Sequence, residues 1–218
     1  MRKVVIFGGS GGLGTQISER LQSNMYVESL SSKDVDVTNY NEVKNFFHNN
    51  DVVIDSIINL SGYNHNMMLH KYQSHNSLDV KRQLEVNIEG NLNILANCLP
   101  TMREKKFGRI ILISSVLASK PVAGTGVYSG CKAFIDNLVK TCSIENLQHG
   151  ITCNSIQLGY FDGGMTYDIP EKIREDFKNN IPLKRWGKII ELENTIRYLI
   201  NTEYVTGCSL KINGGIDF

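Results

Sequence analysis

The sequence predicts a three-layer, doubly wound α/β fold: a parallel sheet with helices on both faces. Three observations carry this. Short runs rich in Val and Ile, bounded by Gly, Asn or Ser, recur along the chain and read as buried strands. Longer amphipathic stretches lie between them, and strand alternating with helix is the pattern of a parallel sheet. At 218 residues, 41% apolar and 21% charged, the chain suffices for one domain with a full core, and no linker, repeat or low-complexity tract divides residues 1–218.

In order, Val4–Phe7 reads as the first strand, and Leu13–Gln22 as a helix with Leu13, Ile17 and Leu21 on one face. Tyr26–Leu30 is the second strand and Val35–Val37 a short third. The four residues between them, Ser31, Ser32, Lys33 and Asp34, are too few: a parallel crossover takes about a dozen residues or more. The expectation is that the second crossover helix is missing and a strand rudimentary, or that one of the two strands is wrongly assigned. Val52–Ile58 follows as a strand, then Leu78–Leu99 as a helix carrying Leu84, Ile88, Leu92 and Leu95. Strand Arg109–Ser114 precedes helix Val127–Gln148, which carries Cys131, Phe134, Leu138 and Leu147. Strand Ile151–Gln157, helix Ile190–Asn201 with Ile196 and Leu199, and strand Ser209–Ile212 complete the chain.

Charge narrows the function classes. With 23 basic and 22 acidic residues the formal charge is +1, which offers no field for nucleic acid or an acidic membrane. The five cysteines (Cys98, Cys131, Cys142, Cys153, Cys208) form no C-x-x-C pair and read as reduced, buried thiols. No apolar run approaches the roughly 18 residues needed to span a bilayer, and the run in MRKVVIF stops at Gly8, too soon for a secretory signal. A soluble, cytoplasmic protein is expected. His65, His70 and His75, five residues apart, do not share a helix face, so no metal site is expected.

Gly8-Gly9-Ser10-Gly11-Gly12-Leu13-Gly14 joins the first strand to the first helix. Glycine permits the tight turn, close approach of a diphosphate to the backbone, and packing of helix on strand. The helix N-terminus adds unpaired N–H groups and a positive dipole end. The loop satisfies both G-x-G-x-x-G and G-x-x-x-G-x-G, and its strand–turn–helix setting gives that match its weight.

Two Tyr-x-x-x-Lys patterns occur, Tyr40/Lys44 and Tyr128/Lys132. Tyr40 lies in the polar stretch TNYNEVKN and reads as surface. Tyr128 opens a long helix, with Lys132 one turn on along the same face. Thirteen residues before it, Ser115 stands where the strand RIILIS ends, and carboxyl ends of parallel strands are where such sheets bind ligands. Asn87 lies in a predicted helix, and Asn59 follows the strand DSII. These groups suit proton transfer coupled to hydride transfer at a carbonyl. A neighbouring ammonium favours phenolate and would bring the tyrosine toward neutrality, while Ser115 could donate to the carbonyl oxygen.

With these residues in view, the chain resembles the short-chain dehydrogenase/reductase family over essentially its whole length, and within it the bacterial 3-oxoacyl-acyl-carrier-protein reductase-like branch. The resemblance rests on Gly8/Gly12/Gly14, Asp36-Val37, Asn59-Leu-Ser-Gly62, Asn87, the Ser115…Tyr128…Lys132 set, Leu158-Gly159 and the closing VTGCSLKINGG. It implies a Rossmann fold binding NAD(P), with Asn87, Ser115, Tyr128 and Lys132 as catalytic tetrad and Asn87 anchoring a water for Lys132. It implies cofactor contacts from Gly8, Ser10, Gly11, Gly12, Leu13 and Gly14 of the first loop. Asp36 and Val37 would meet the adenine, while Asn59, Ser61, Gly62, Gly159 and Phe161 would line the cofactor. Tyr128 and Lys132 would hold the nicotinamide ribose. The chain departs from the family pattern at Phe7, Leu60 and Leu158, and at Gly163, where a Thr is usual. It further implies a homotetramer or dimer, with the helices of Asn87 and Tyr128 packing against their copies.

The tip of the second strand, Ser31, Ser32 and Lys33, holds no carboxylate until Asp34, which favours NADP(H) over NAD(H). Asp34, twenty residues past Gly14, argues the other way if a short connection swings it back to the ribose. Tyr63, His65, Met67 and Met68, and Tyr160, Phe161, Met165 and Tyr167, either line a partly apolar substrate pocket or pack a lid. The expected activity is reduction of a ketone or oxidation of a secondary alcohol, the substrate an acyl thioester or sugar-like compound. Two alternatives stay open. One is a nucleotide-sugar epimerase or dehydratase, suggested by the lost helix but short of room for a separate substrate domain. The other is a non-catalytic dinucleotide-binding protein on the same fold.

Overall fold

The structure, a computed structural model, describes residues 2–49, 54–72 and 78–217. Six parallel strands, β1 (Lys3–Phe7), β2 (Tyr26–Leu30), β3 (Ser56–Asn59), β4 (Gly108–Ser115), β5 (Ile151–Leu158) and β6 (Ser209–Ile212), stand in the order β2-β1-β3-β4-β5-β6. The helices are α1 (Gly12–Leu21), α2 (Tyr40–His48), α3 (Leu78–Leu84), α4 (Gly90–Lys105), α5 (Gly126–Asn146), α6 (Glu171–Asn179) and α7 (Ile189–Asn201). Alternation along the strands divides the core. Val4 and Ile6 of β1 pack with Ile17, Leu21, Leu192 and Ile196 beneath α1 and α7. Val5 and Phe7 pack with Val43, Ile94, Leu95, Ile135 and Val139 beneath α2, α4 and α5. Both sheet faces are therefore covered, as uninterrupted Val/Ile runs require.

The crossover after β2 corrects the sequence reading. Val35–Val37 is not a strand; both valines plug the core from an irregular segment. No helix lies between Leu30 and Val35, but the crossover from β2 to β3 carries α2, in the stretch read as polar surface. Asn39 caps it, its side-chain oxygen accepting from the N–H groups of Asn41 at 3.1 Å and Glu42 at 3.4 Å. Its apolar stripe, Val43, Phe46 and Phe47, packs on the core, with the Phe46 ring 5.8 Å from that of Phe7. The strand expected at Val52–Ile58 begins at Ser56; Val52 and Val53 lie outside the described residues. The helix expected at Leu78–Leu99 runs on to Lys105 and contains a π-helical turn at Glu85–Glu89. Tyr40 is half exposed on α2, as its polar surroundings suggested.

β2 and β3 flank β1, so the chain reverses its winding direction there and opens a crevice at the carboxyl ends of β1 and β3. The glycine loop folds tightly over that end. Gly8 has φ +75°, and a Cβ there would stand 2.6 Å from the Ser61 backbone nitrogen. A Cβ on Gly14 would lie 2.3 Å from the Gly8 carbonyl oxygen and 2.8 Å from Gly9 Cα. Gly130, on the exposed face of α5, meets nothing within 4 Å. Gly14→Ala is therefore expected to destabilise the fold by about 1–3 kcal/mol in urea melts, since backbone has to move. Gly130→Ala should stabilise it by about 0.5–1 kcal/mol through the unfolded chain. Equal effects of the two would remove the steric argument.

Candidate active site

The crevice presents an anion-binding surface at the start of α1. Gly11 is the N-cap, no side chain caps the helix, and its first turn holds no acidic residue. The first helical bond is made by Thr15 N–H to Gly11, so the N–H groups of Gly12, Leu13 and Gly14 precede it. Ser10, Gly11 and Gly12 are exposed there. Backbone donors, exposed glycine surface and the absence of a carboxylate fit a dinucleotide diphosphate. Gly163 and Gly164, with φ +142° and +59°, rest against this turn. A Cβ on Gly12 would stand 2.8 Å from the Gly164 nitrogen, and one on Gly163 would stand 3.1 Å from Gln16 Nε2. The positive φ is the physical reason glycine serves at 163.

Ser115, Tyr128 and Lys132 come together across the ends of β4 and α5. The pairing of β3 with β4 stops at Asn59–Leu112, whereas β5 follows β4 to Ser115, so β4 reaches beyond β3 into the crevice. α5 crosses this projection with Tyr128 and Lys132 on its buried face. Tyr128 stands beside Ser115, whose Oγ accepts from Leu117 N–H at 3.2 Å. Lys132 Nζ donates to the Ile113 carbonyl at 2.8 Å and lies 5.4 Å from the Tyr128 ring centroid. Burial pushes the lysine down to about 8. It also pushes the Tyr128 phenol up to about 12, against a smaller opposing pull from the Ser115 hydrogen bond. The phenol thus stands above its ordinary value, because desolvation of the phenolate outweighs the pull of Ser115.

Asn87 sits fully buried in the π-helical turn, a distortion common at functional sites. Its Nδ2 donates to the carbonyls of Tyr63 at 2.7 Å and Gln83 at 2.9 Å, while its own carbonyl accepts from Asn91 Nδ2 at 2.8 Å. Its Oδ1 has no partner among the described residues. Asn59 is turned inward: Nδ2 donates to Asn91 Oδ1 at 2.8 Å and Oδ1 accepts from Ser61 N–H at 3.0 Å. Asn59 therefore braces the Leu60–Gly62 loop from within. Asn91 and Gln83, whose Nε2 donates to the His65 carbonyl at 2.9 Å, extend this bracing and were missed in the sequence. Their spacing of four from Asn87 on either side was the available signal.

Several expected cofactor contacts are differently employed. Val37 is buried in the core, where a Cβ on Gly90 would stand 2.8 Å from it, so its side chain is closed to an adenine. Asp36 accepts from the N–H and hydroxyl of Thr38 at 3.0 and 2.8 Å and faces Arg82 at 3.5 Å. Burial raises its carboxyl, but these partners together hold it below the ordinary value. Gly159 packs against β6, where a Cβ would stand 2.6 Å from Asn213 Cα. Phe161 is buried in the core with its ring over Gly187, so its side chain does not line the crevice. At the tip of β2, Asp34 folds back, accepting from the Ser31 N–H at 2.8 Å and hydroxyl at 2.6 Å, and those bonds lower its carboxyl. Lys33 beside it is exposed.

The substrate side is mixed. Tyr63 donates to Asp79 at 2.8 Å and Met67 is buried, while Met68 is half exposed. Tyr160 packs edge-on against Phe177 and Trp186, a lid-packing role. Tyr167 is exposed beside Arg174; the Met165 side chain and His75 lie outside the described residues. Among the described residues no helix is long and apolar enough to cross a membrane.

Comparison with known proteins gives the family of the chain. A family model described as enoyl-(acyl carrier protein) reductase matches residues 8–217. The 3-oxoacyl-acyl-carrier-protein reductase of Staphylococcus aureus is 26% identical over 245 aligned positions, covering 99% of this chain and 98% of that protein. Carbonyl reductase family member 4 of Xenopus tropicalis is 26% identical over 238 positions, with the same coverage of 99% and 98%. Nodulation protein G of Azospirillum brasilense is 36% identical over 137 residues, 62% of this chain and 56% of its own length. With a parallel Rossmann-like sheet, a glycine crevice for a nicotinamide cofactor and these relatives, the chain belongs to the short-chain dehydrogenase/reductase family, in its 3-oxoacyl-acyl-carrier-protein reductase-like branch, and is an oxidoreductase.

Proposed function

We propose that the protein is an NADP(H)-dependent ketoreductase acting on a 3-oxoacyl thioester or a related ketone, with Asn87, Ser115, Tyr128 and Lys132 as its catalytic tetrad. The observation that carries this is the buried Tyr128 ring, with Ser115 beside its phenol and the Lys132 amine 5.4 Å from its centroid at the crevice edge. The likeness to reductases named for 3-oxoacyl carrier-protein substrates supports the substrate class. A nicotinamide bound in the crevice would supply the hydride. Tyr128 then holds the proton that goes to the carbonyl oxygen, and a phenol raised to about 12 is protonated throughout the working range. The Ser115 hydroxyl donates to the same oxygen as charge develops on it. Lys132 places a positive charge beside the phenol and favours the phenolate left behind.

At the 2′ end of the cofactor, Ser31, Ser32 and Lys33 support NADP(H), because hydroxyls and an exposed cation suit a phosphate. The carboxylate of Asp34, folded back onto Ser31, favours NAD(H) as a second reading. Exposed Leu84 and Leu92 near Asn87, and Ile144 and Leu147 at the far end of α5, support self-association as a tetramer or dimer. The five free cysteines, four of them buried, suit a reducing cytoplasm. The whole chain serves as one cofactor-binding domain.

Tyr128→Phe is expected to lower turnover of an acetoacetyl thioester by at least about a hundredfold while NADPH still binds. Wild-type kcat/KM for reduction should fall above pH of about 8 as Lys132 loses its proton, its depressed value setting that limb. Unchanged turnover in the variant, or no turnover by the wild type of any 3-oxoacyl thioester, would overturn the reading. Product mass distinguishes reduction, which adds two hydrogens, from isomerisation or dehydration. In fluorescence titrations Lys33→Ala should weaken NADPH by about tenfold and leave NADH unchanged, the loss of one phosphate contact. Tighter NADH than NADPH in the wild type would instead assign the tip to Asp34.

A further inference from the structure

Asp136, one turn beyond Lys132 on α5, is absorbed by neither the fold nor the proposed chemistry. Its carboxylate faces the sheet. Oδ1 accepts from Ser155 at 2.6 Å and Ser209 at 3.1 Å, and Oδ2 accepts from Gln157 Nε2 at 2.6 Å. All three donors are neutral, so the hydrogen bonds hold the carboxylate in place without cancelling its charge. Ser119, donating to Gln157 Oε1 at 3.1 Å, continues the chain of contacts.

Lys132 presents the complementary problem. Its amine is fully buried, and its hydrogen-bond partner, the Ile113 carbonyl, is neutral. The charged form of a buried lysine is lost unless an anion compensates. The titratable groups nearest it on α5 are Tyr128, Cys131 and Asp136. Burial pushes both the Tyr128 phenol and the Cys131 thiol up, so neither supplies negative charge at neutral pH. The neighbouring elements contribute neutral Ser114 and Ser115 from β4, Ser155 and Gln157 from β5, and Gln83 and Asn87 from the helix before α4. On that helix Lys81 pairs with Glu85, and Arg82 faces Asp36. Against burial, Cys131 and then Asp136 favour the charged amine, the thiol only where it ionises, so that Asp136 is the one that brings negative charge at neutral pH.

We propose that Asp136 is a positioning residue of the active site, held by Ser155, Gln157 and Ser209 so that its carboxylate sustains the positive charge of Lys132. The two groups are held at neighbouring points of the sheet: the strand residue whose carbonyl accepts from the amine, Ile113, pairs with Ile156, between the Ser155 and Gln157 that hold the carboxylate. The inference rests on the assignment of Lys132 to catalysis for its consequence, but not for its test.

The test follows the Lys132 side chain by NMR in the full-length, unliganded protein labelled at lysine, with Lys132→Met to assign the resonance. In Asp136→Asn the Lys132 titration is expected to move about one pH unit lower than in the wild type, a modest charge–charge effect. Asp136→Glu should restore most of it. Gln157→Leu, which removes a hydrogen bond but leaves the carboxylate, should shift it far less. The alkaline limb of kcat/KM should move with the NMR value. An unchanged Lys132 titration in folded Asp136→Asn overturns the proposal, as does an equal shift in Gln157→Leu. Loss of the fold in both Asp136→Asn and Asp136→Ser would make the carboxylate structural and overturn it too. A wild type inactive on every ketone would refute the reductase reading while leaving the NMR comparison intact.

Discussion

A lysine amine enclosed by protein and hydrogen-bonded to a strand carbonyl is the constraint on which the site turns. Lys132 can reach Ile113 because β4 runs past the end of β3 and α5 lies across the projecting backbone. The same crossing brings Tyr128 against Ser115. Enclosure has opposite effects on the two titrating groups: it makes the amine easier to discharge and the phenol harder. The site therefore sets a protonated phenol beside an amine of depressed basicity, and compensating charge has to come from elsewhere in the fold.

Around that centre, amide side chains take the place of charged braces. Asn59, Asn91, Asn87 and Gln83 link the end of β3, the π-helical turn and the Tyr63–His65 segment by hydrogen bonds of 2.7 to 2.9 Å. Amides donate and accept at once, so a buried chain of them can satisfy itself without introducing a field that would compete with Lys132. Among the described residues Oδ1 of Asn87 and Oε1 of Gln83 have no partner, and they mark where these amides have acceptor capacity left.

Much of this was legible in the chain. The glycine loop could be placed because it directly follows the four-residue apolar run Val4–Phe7, and Tyr128 could be told from Tyr40 because an apolar strand delivers Ser115 to one and nothing to the other. Val35–Val37 misled because two buried valines flanking an Asp look like a strand, whereas here they plug a hole beneath α2 and α4. α2 was hidden by its polar residues, which cover the Val43/Phe46/Phe47 stripe at helical spacing. Val37 and Phe161 were assigned to the cofactor by resemblance, but packing against Gly90 and Gly187 claims their side chains.

The sequence by itself determined the six strands of the sheet and the helices that follow β1, β3 and β4, the glycine turn and the four-residue spacing of tyrosine and lysine, because these depend on local periodicity and backbone freedom. Tertiary structure alone decided the electrostatics: how far burial raises the phenol, where Asp34 turns, and that Asp136 is held by Ser155, Gln157 and Ser209 of the sheet. Charge interactions depend on separation and on how much water is excluded, and both are properties of packing between elements distant in the chain.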